Sequence, residues 1–338
     1  MNEGQADAFI KPRPPRWRLY TPLIGLLLLA WILSRIDLVS MKNSILALSP
    51  STLGLAVGCF ATNILVKSFR WHRLLHAQGI RLPLRVSLAA YLNGQFYGQV
   101  TPGHVGEFYR AEALIERRVS IGLAMSSCLV DRFIDVLIVL GVAMVLGALV
   151  VGNRQAALWA AGLLGVCLSL VAFIWAAATF RFLPPWMVSL ATRAIDRMRR
   201  NRALNRVVDA VGELLQGSRA LLNPLPLLEA LCWSVLAWPL YFGTLWVLSD
   251  GMGVTLDLII LTAASSLAAL SSLAPITFAG LGVRELVFAE VLAMRGAATA
   301  ASVALALTNS AVMMTTALSV GIVGVIWRQK QTAARSLP

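Results

Sequence analysis

Charge is what this chain has least of. Of its 338 residues only 13% are Asp, Glu, Lys or Arg, about half the share of roughly 25% expected in a soluble domain. The deficit is concentrated. No charged residue occurs in 43–66, 155–180, 230–249, 258–283 or 296–327. Each window holds at least 20 residues, enough to cross a hydrocarbon core of about 30 Å at about 1.5 Å per residue. Shorter charge-free runs lie at 19–34 and 136–153. With 58% hydrophobic residues, this pattern excludes an ordinary soluble enzyme. It predicts an all-α, polytopic integral membrane protein.

Chemical motifs are scarce too. No Lys follows a Gly, so there is no P-loop, and there is no HExxH pair. ATP-driven transport and a cytosolic catalytic domain are not expected in this chain, and no cofactor or metal is implied. The cysteines Cys59, Cys128, Cys167 and Cys232 form no CxxC pair and sit in or beside apolar windows. They read as small packing residues. His72 and His76 stand four apart beside Arg70 and Arg73. A metal pair is conceivable there, but a basic loop is the plainer reading.

The net charge of +13 is arranged for a membrane rather than for nucleic acid. Lys11, Arg13, Arg16 and Arg18 precede the first apolar run, and no small-residue cleavage site follows it, so a retained first span is expected. Cytoplasmic loops are enriched in Lys and Arg. With the N-terminus inside, the spans fall near 19–36, 48–67, 121–151, 156–180, 227–249 and 298–327. Two further segments, 86–118 and 256–295, read as re-entrant helical hairpins. Of the 29 Lys and Arg residues, 22 then lie inside, in loops such as the one holding Lys67, Arg70 and Arg73. Four lie outside (Arg35, Lys42, Arg154 and Arg295) and three (Arg110, Arg132 and Arg284) fall in membrane segments. Both termini are expected in the cytoplasm, and the location is the cell (inner) membrane.

The layout repeats with inverted orientation within one transmembrane domain, 1–338. Residues 1–151 and 152–338 each read span, span, hairpin, span. The first hairpin breaks at Thr101, Pro102 and Gly103 and continues through His104, Val105, Gly106 and Glu107 to Arg110. The second breaks at Pro275 and runs through Gly280, Leu281 and Gly282 to Arg284 and Glu285. Inverted repeats with broken helices are characteristic of secondary transporters, whose site forms where the breaks meet. The plainer alternative is that Pro and Gly merely kink two long helices.

Ionisable groups at membrane depth are costly and functional by default. Seven are expected there: Glu107, Arg110, Asp131, Arg132, Asp135, Arg284 and Glu285. With Pro102, Gly103, His104, Gly106, Gly280 and Gly282 they form the candidate substrate site. Helix N-termini opening at the breaks would suit a phosphate. The glycines would let a headgroup approach the backbone. Arg110 and Arg284 would supply planar, two-pronged contacts to it. The competing reading of Asp131, Arg132 and Asp135 is a set of buried ion pairs. Tyr91, Asn93, Gln95, Tyr97 and Gln99 make an unusually polar membrane helix. It fits either a wet cavity or interhelical packing through Gly94 and Gly98. Segment 185–222 is strongly basic, and 193–219 reads as an amphipathic helix on the cytoplasmic leaflet.

These runs carry a resemblance. Ser68 to Leu75 (SFRWHRLL), Thr101 to Arg110 (TPGHVGEFYR), Asp131 to Asp135 (DRFID) and Gly280 to Glu285 (GLGVRE) resemble the lysylphosphatidylglycerol synthase flippase-region family. The resemblance covers nearly the whole chain in order, and the ordered combination makes it specific. Asp131 stands where family members commonly carry Glu, which keeps the charge and shortens the reach. The resemblance implies movement of a phosphate- or polar-headgroup lipid between leaflets, without the soluble aminoacyl-transfer domain of some members. Membrane lipids, with an anionic headgroup, are the expected partners, together with envelope-synthesis enzymes and no nucleic acid. A membrane-embedded enzyme using Glu107 or Asp131 as base, or a non-transporting scaffold, remains the alternative.

Overall fold

A computed structural model describes residues 30–31, 34, 37–101, 103–151, 158, 162, 165, 202–221, 223–254, 256–272, 280–294, 296 and 299–333. Every element among them is helical. In chain order they are α1 (Leu38–Leu46), α2 (Pro50–Ala77), α3 (Leu84–Gln99), a 3-10 run (Val105–Ala111), α4 (Glu112–Ile115) and α5 (Ile121–Val151). Then follow α6 (Arg202–Leu221), α7 (Pro224–Gly251), α8 (Leu258–Ser271), α9 (Val283–Ala293) and α10 (Thr299–Ala333). Helices α2, α5, α7 and α10 are long and apolar enough to cross a membrane; α8 is a shorter apolar helix. The spans expected at 19–36 and 156–180 and the breaks at Pro102 and Pro275 lie outside the described residues.

Helix α2 shows how local chemistry sets the elements. Ser49 caps it by accepting from the Thr52 amide at 3.1 Å, and Pro50 takes the first turn, where its missing N–H is no loss. Gly79, at φ +77°, closes it. There the Ile80 amide reaches the Leu75 carbonyl and the Gly79 amide reaches that of His76, both at 2.9 Å, a Schellman closure. The helix has 28 residues, about 42 Å at 1.5 Å per residue. It therefore continues ten residues beyond the end expected at 67. Lys67, Arg70 and Arg73 are thus helical rather than part of a loop. His72 and His76 are on the same helix, their rings 4.5 Å apart, and His72 Nδ1 meets Ser87 Oγ at 2.8 Å. Among the described residues no group of three or more metal-ligating side chains assembles.

Helix α3 and the 3-10 run fold back on each other. A Cβ on Gly94 would lie 2.9 Å from the Glu107 carbonyl, and one on Gly98 would lie 2.5 Å from Glu107 Cγ. One on Gly106 would strike the Tyr97 carbonyl. As the first leg advances from 94 to 98 its partner retreats from 110 towards 106, so the legs are antiparallel. Small residues are what let two backbones approach this closely. The turn uses Gly103 at φ +61° and His104 at φ +57°. A non-glycine residue in that region carries a cost of about 1–2 kcal/mol. The return leg is a seven-residue 3-10 run rather than the α-helix expected to begin at the break.

Packing follows an exchange pattern. Helices α2 and α7, each 28 residues long, pack together. Each is followed by a broken pair (α3 with the 3-10 run; α8 with α9) and then by a long helix, α5 or α10. The first helix of each pair packs on the long helix of the other half: α3 on α10, α8 on α5. At the former contact Gly321 and Gly324 abut Phe96, Leu92 and Asn93. Helix α6 packs on α5: Gly217 sits against Ser126 and Leu123, and Leu221 is buried with Leu74, Val130 and Ile134. The described part of the amphipathic segment therefore packs against α5. Residues 193–201 of it lie outside the described set.

Candidate functional site

Charged side chains that the bilayer would penalise are brought together by α2, α5 and the first broken pair. Arg70, 1% exposed, bonds Asp131 through Nε at 2.9 Å and Nη2 at 2.8 Å, Asp135 at 2.9 Å and Ser234 Oγ at 2.8 Å. Asp131 presents its second oxygen to Arg110 at 2.8 Å. Asp135 presents its second oxygen to Lys67 Nζ at 3.3 Å. The result is an alternating chain: Arg110, Asp131, Arg70, Asp135, Lys67. The Arg110 guanidinium also lies against the faces of Trp71 and Tyr91, at 5.0 and 4.9 Å. These two contacts offset part of its desolvation. Lys67 sits 4.3 Å from the Trp238 ring centre. Arg132, one residue on from Asp131, turns the other way and pairs with Glu107.

These pairs border a cavity of about 900 Å³, counting the open volume at its mouth. Helix α2 contributes Phe60, Asn63, Ile64 and Lys67; α3 contributes Tyr91, Gln95 and Gln99. The first break contributes His104 and Glu107, and α5 contributes Arg132, Asp135, Val136 and Val139. The other half supplies Trp238, Tyr241, Ala269, Ser272, Arg284 and Met313. Residues beside both breaks therefore face one space. His104 Nδ1 lies 3.7 Å from Glu107 Oε1 and, like Trp238 Nε1, is buried without a hydrogen-bond partner.

The arrangement separates the expected site residues into two groups. Glu107, Arg132, Asp135, His104 and Arg284 line the cavity. Arg110, Asp131 and Glu285 do not: they are 2%, 1% and 0% exposed. Arg110 is turned towards Asp131, the Cys128 carbonyl and two aromatic rings, and among the described residues its Nε and Nη1 are buried without a hydrogen-bond partner. Glu285 closes its own helix: it accepts from the Gly282 amide at 2.6 Å and from Ser310 Oγ. That bond occupies the α9 N-terminus on which a phosphate was expected. The glycines also serve packing or turning. Gly106 abuts Tyr97, Gly280 abuts Ser272, and Gly103 and Gly282 take positive φ. None of the four lines the cavity. Pro102 lies outside the described residues.

Sequence reasoning missed Lys67 and Arg70 as members of the charge network, placing them in a loop. The available signal was spacing. Phe60, Asn63, Lys67, Arg70 and Leu74 recur at three- and four-residue steps, one helical face. Asp131 and Asp135 require cations at matching spacing.

A family model described as Lysylphosphatidylglycerol synthase TM region matches residues 19–321. No curated protein matches the chain.

Proposed function

The chain belongs to the lysylphosphatidylglycerol synthase TM region family, and from that premise and the cavity we propose that it is a lipid translocase of the cell inner membrane. It moves a lipid with an anionic headgroup between leaflets and leaves the lipid chemically unaltered. The observation that carries this reading is the state of Arg284. It lines the cavity, and its carboxylate contact is Glu285 at 3.4 Å. That is longer than the 2.7–2.9 Å of a strong charged hydrogen bond, and Glu285 is already engaged by Gly282 and Ser310. A guanidinium in this setting is an anion receptor. Residues beside both breaks border the space, as an alternating-access site requires.

The exchange of packing partners between halves supports an inverted repeat divided at about 151. The antiparallel first pair supports a re-entrant hairpin that enters and leaves on one side. Arg328, near the end of α10, binds Glu112 and Glu116 beyond that hairpin, each at 2.7 Å. The hairpin's exit is thus beside the end of the last helix, which the charge asymmetry assigns to the cytoplasm. The cavity's polar walls carry the headgroup while the acyl chains stay in lipid.

Reconstitution into vesicles with a fluorescent-acyl anionic phospholipid tests the reading. Arg284→Gln should slow leaflet exchange at least about tenfold, since a charged hydrogen bond is worth about 1.5–3 kcal/mol. An unchanged rate, or recovery of covalently altered lipid, would overturn it.

A further inference from the structure

Three features of the cavity bear on which headgroup it takes. The first is charge. Among the described residues the network holds five cations (Lys67, Arg70, Arg110, Arg132, Arg284) and four carboxylates (Glu107, Asp131, Asp135, Glu285). Five less four leaves one positive charge. In a medium of low dielectric an unbalanced charge is costly, and a phosphodiester, with its single negative charge, balances it. The two cavity-lining cations with the longest ion pairs are Lys67 at 3.3 Å and Arg284 at 3.4 Å, and both face the same space.

The second feature concerns the carboxylates. Glu107 and Asp135 line the cavity, and both are already held by protein cations. Glu107 is paired with Arg132, and Asp135 with Arg70 and Lys67. A headgroup ammonium approaching either one would stand beside a protein cation already bound there, a like-charge juxtaposition that costs several kcal/mol.

The third feature is unmet hydrogen-bonding capacity. Among the described residues the Trp238 indole N–H, buried in the cavity wall, has no acceptor. An indole is a donor only. A hydroxyl oxygen satisfies it; an ammonium has no lone pair to offer. Gln95 and Gln99 add neutral amides to the same lining, and an amide both donates to and accepts from a hydroxyl.

We propose that the cavity selects a monoanionic phosphodiester lipid whose headgroup ends in hydroxyls, and discriminates against headgroups that carry an amine. This rests on the translocase reading above and names its substrate class. The phosphate sits between Lys67 and Arg284. The hydroxyls meet Gln95, Gln99 and Trp238.

The full chain in phosphatidylcholine vesicles is assayed with four acyl-labelled lipids: phosphatidylglycerol, phosphatidylmethanol, phosphatidylethanolamine and lysyl-phosphatidylglycerol. Phosphatidylglycerol should exchange about tenfold faster than either amine-bearing lipid, the worth of one good charged contact. It should also outpace phosphatidylmethanol, which has the phosphodiester and no hydroxyl. An amine-bearing lipid exchanging as fast as phosphatidylglycerol overturns the proposal while leaving the translocase reading intact. Phosphatidylmethanol equal to phosphatidylglycerol overturns it as well. If no lipid exchanges faster than in protein-free vesicles, the translocase reading fails instead. Selectivity is then read from quenching of tryptophan fluorescence in detergent by the same four lipids with brominated chains. The same ranking there upholds the site's preference, and a flat ranking overturns it.

Discussion

Replacing Asp131 with Asn separates the charges that hold this protein together from those that face the cavity. Asn keeps the shape and removes the charge. Asp131 is 1% exposed and bonds two buried arginines, Arg70 at 2.8 Å and Arg110 at 2.8 Å. Both would be left with too few acceptors. Arg70 would keep Asp135 and Ser234; Arg110 would keep the Cys128 carbonyl at 3.3 Å and its two rings. Removing one partner of a buried pair costs about 3–5 kcal/mol, and the cost here lies at the upper end because two cations lose the same carboxylate. The assay is SDS-induced unfolding in mixed micelles, followed by tryptophan fluorescence. Arg284→Gln, which among the described residues removes the long Glu285 contact, should shift the same curve by less than about 1 kcal/mol. If Asp131→Asn unfolds like wild type yet abolishes lipid exchange, Asp131 binds substrate and the division into structural and cavity-facing charges is wrong.

Glycine positions give a second test. Gly324→Ala brings a methyl within 2.8 Å of the Asn93 amide nitrogen and should destabilise by about 1–3 kcal/mol, whereas Gly58→Ala, with open space around it, should be neutral or slightly stabilising by the same unfolding measurement. Topology gives a third: in intact cells a cysteine at Asp257 should react with an impermeant thiol reagent and cysteines at Arg81 and Arg118 should not, and labelling of 118 alone would mean that 84–115 crosses the membrane. Arg328→Ala should loosen the tie between α10 and the end of the first hairpin, where Glu112 and Glu116 are half exposed; the expected cost is under about 1 kcal/mol, and a loss above 3 kcal/mol would show that the tie is buried in the bilayer-embedded protein.

The sequence was most legible where the rule was local. Span 3 was expected at 121–151, and α5 runs Ile121–Val151. Packing through Gly94 and Gly98 was one of two readings left open for α3, and both glycines lie against the returning leg. What stayed hidden depended on partners distant in sequence. Lys67, Arg70 and Arg73 read as a loop because three cations in seven residues ordinarily mark solvent. Asp131 and Asp135, more than sixty residues away, are what let the helix carry two of them inward. Arg132 was grouped with Asp135 by spacing on one helix, yet it reaches Glu107 on another element. A helix end looks like a phosphate seat until its own Glu285 is seen to close it.

The two breaks are similar in composition and opposite in consequence. In the first, Glu107 precedes Arg110 by three residues; in the second, Arg284 precedes Glu285 by one. Adjacent residues on a helix do not face each other. In the second break, therefore, one member of the pair points into the cavity while the other is buried, and the exposed member is the arginine. In the first, the 3-10 return leg turns Glu107 to the cavity and Arg110 away from it, towards Asp131. One break thus presents an acid and the other a base to the same space. The acid is matched by Arg132 from α5, a partner on a different element whose geometry is not constrained by the helix. The base has its helix neighbour Glu285 at 3.4 Å, a long contact to a carboxylate already held by Gly282 and Ser310. Of the two breaks, then, only the second turns a cation to the cavity without a carboxylate from another element to match it, and Lys67 from α2 is the most comparable cation in the lining; this makes the halves of a nearly symmetric framework chemically unequal.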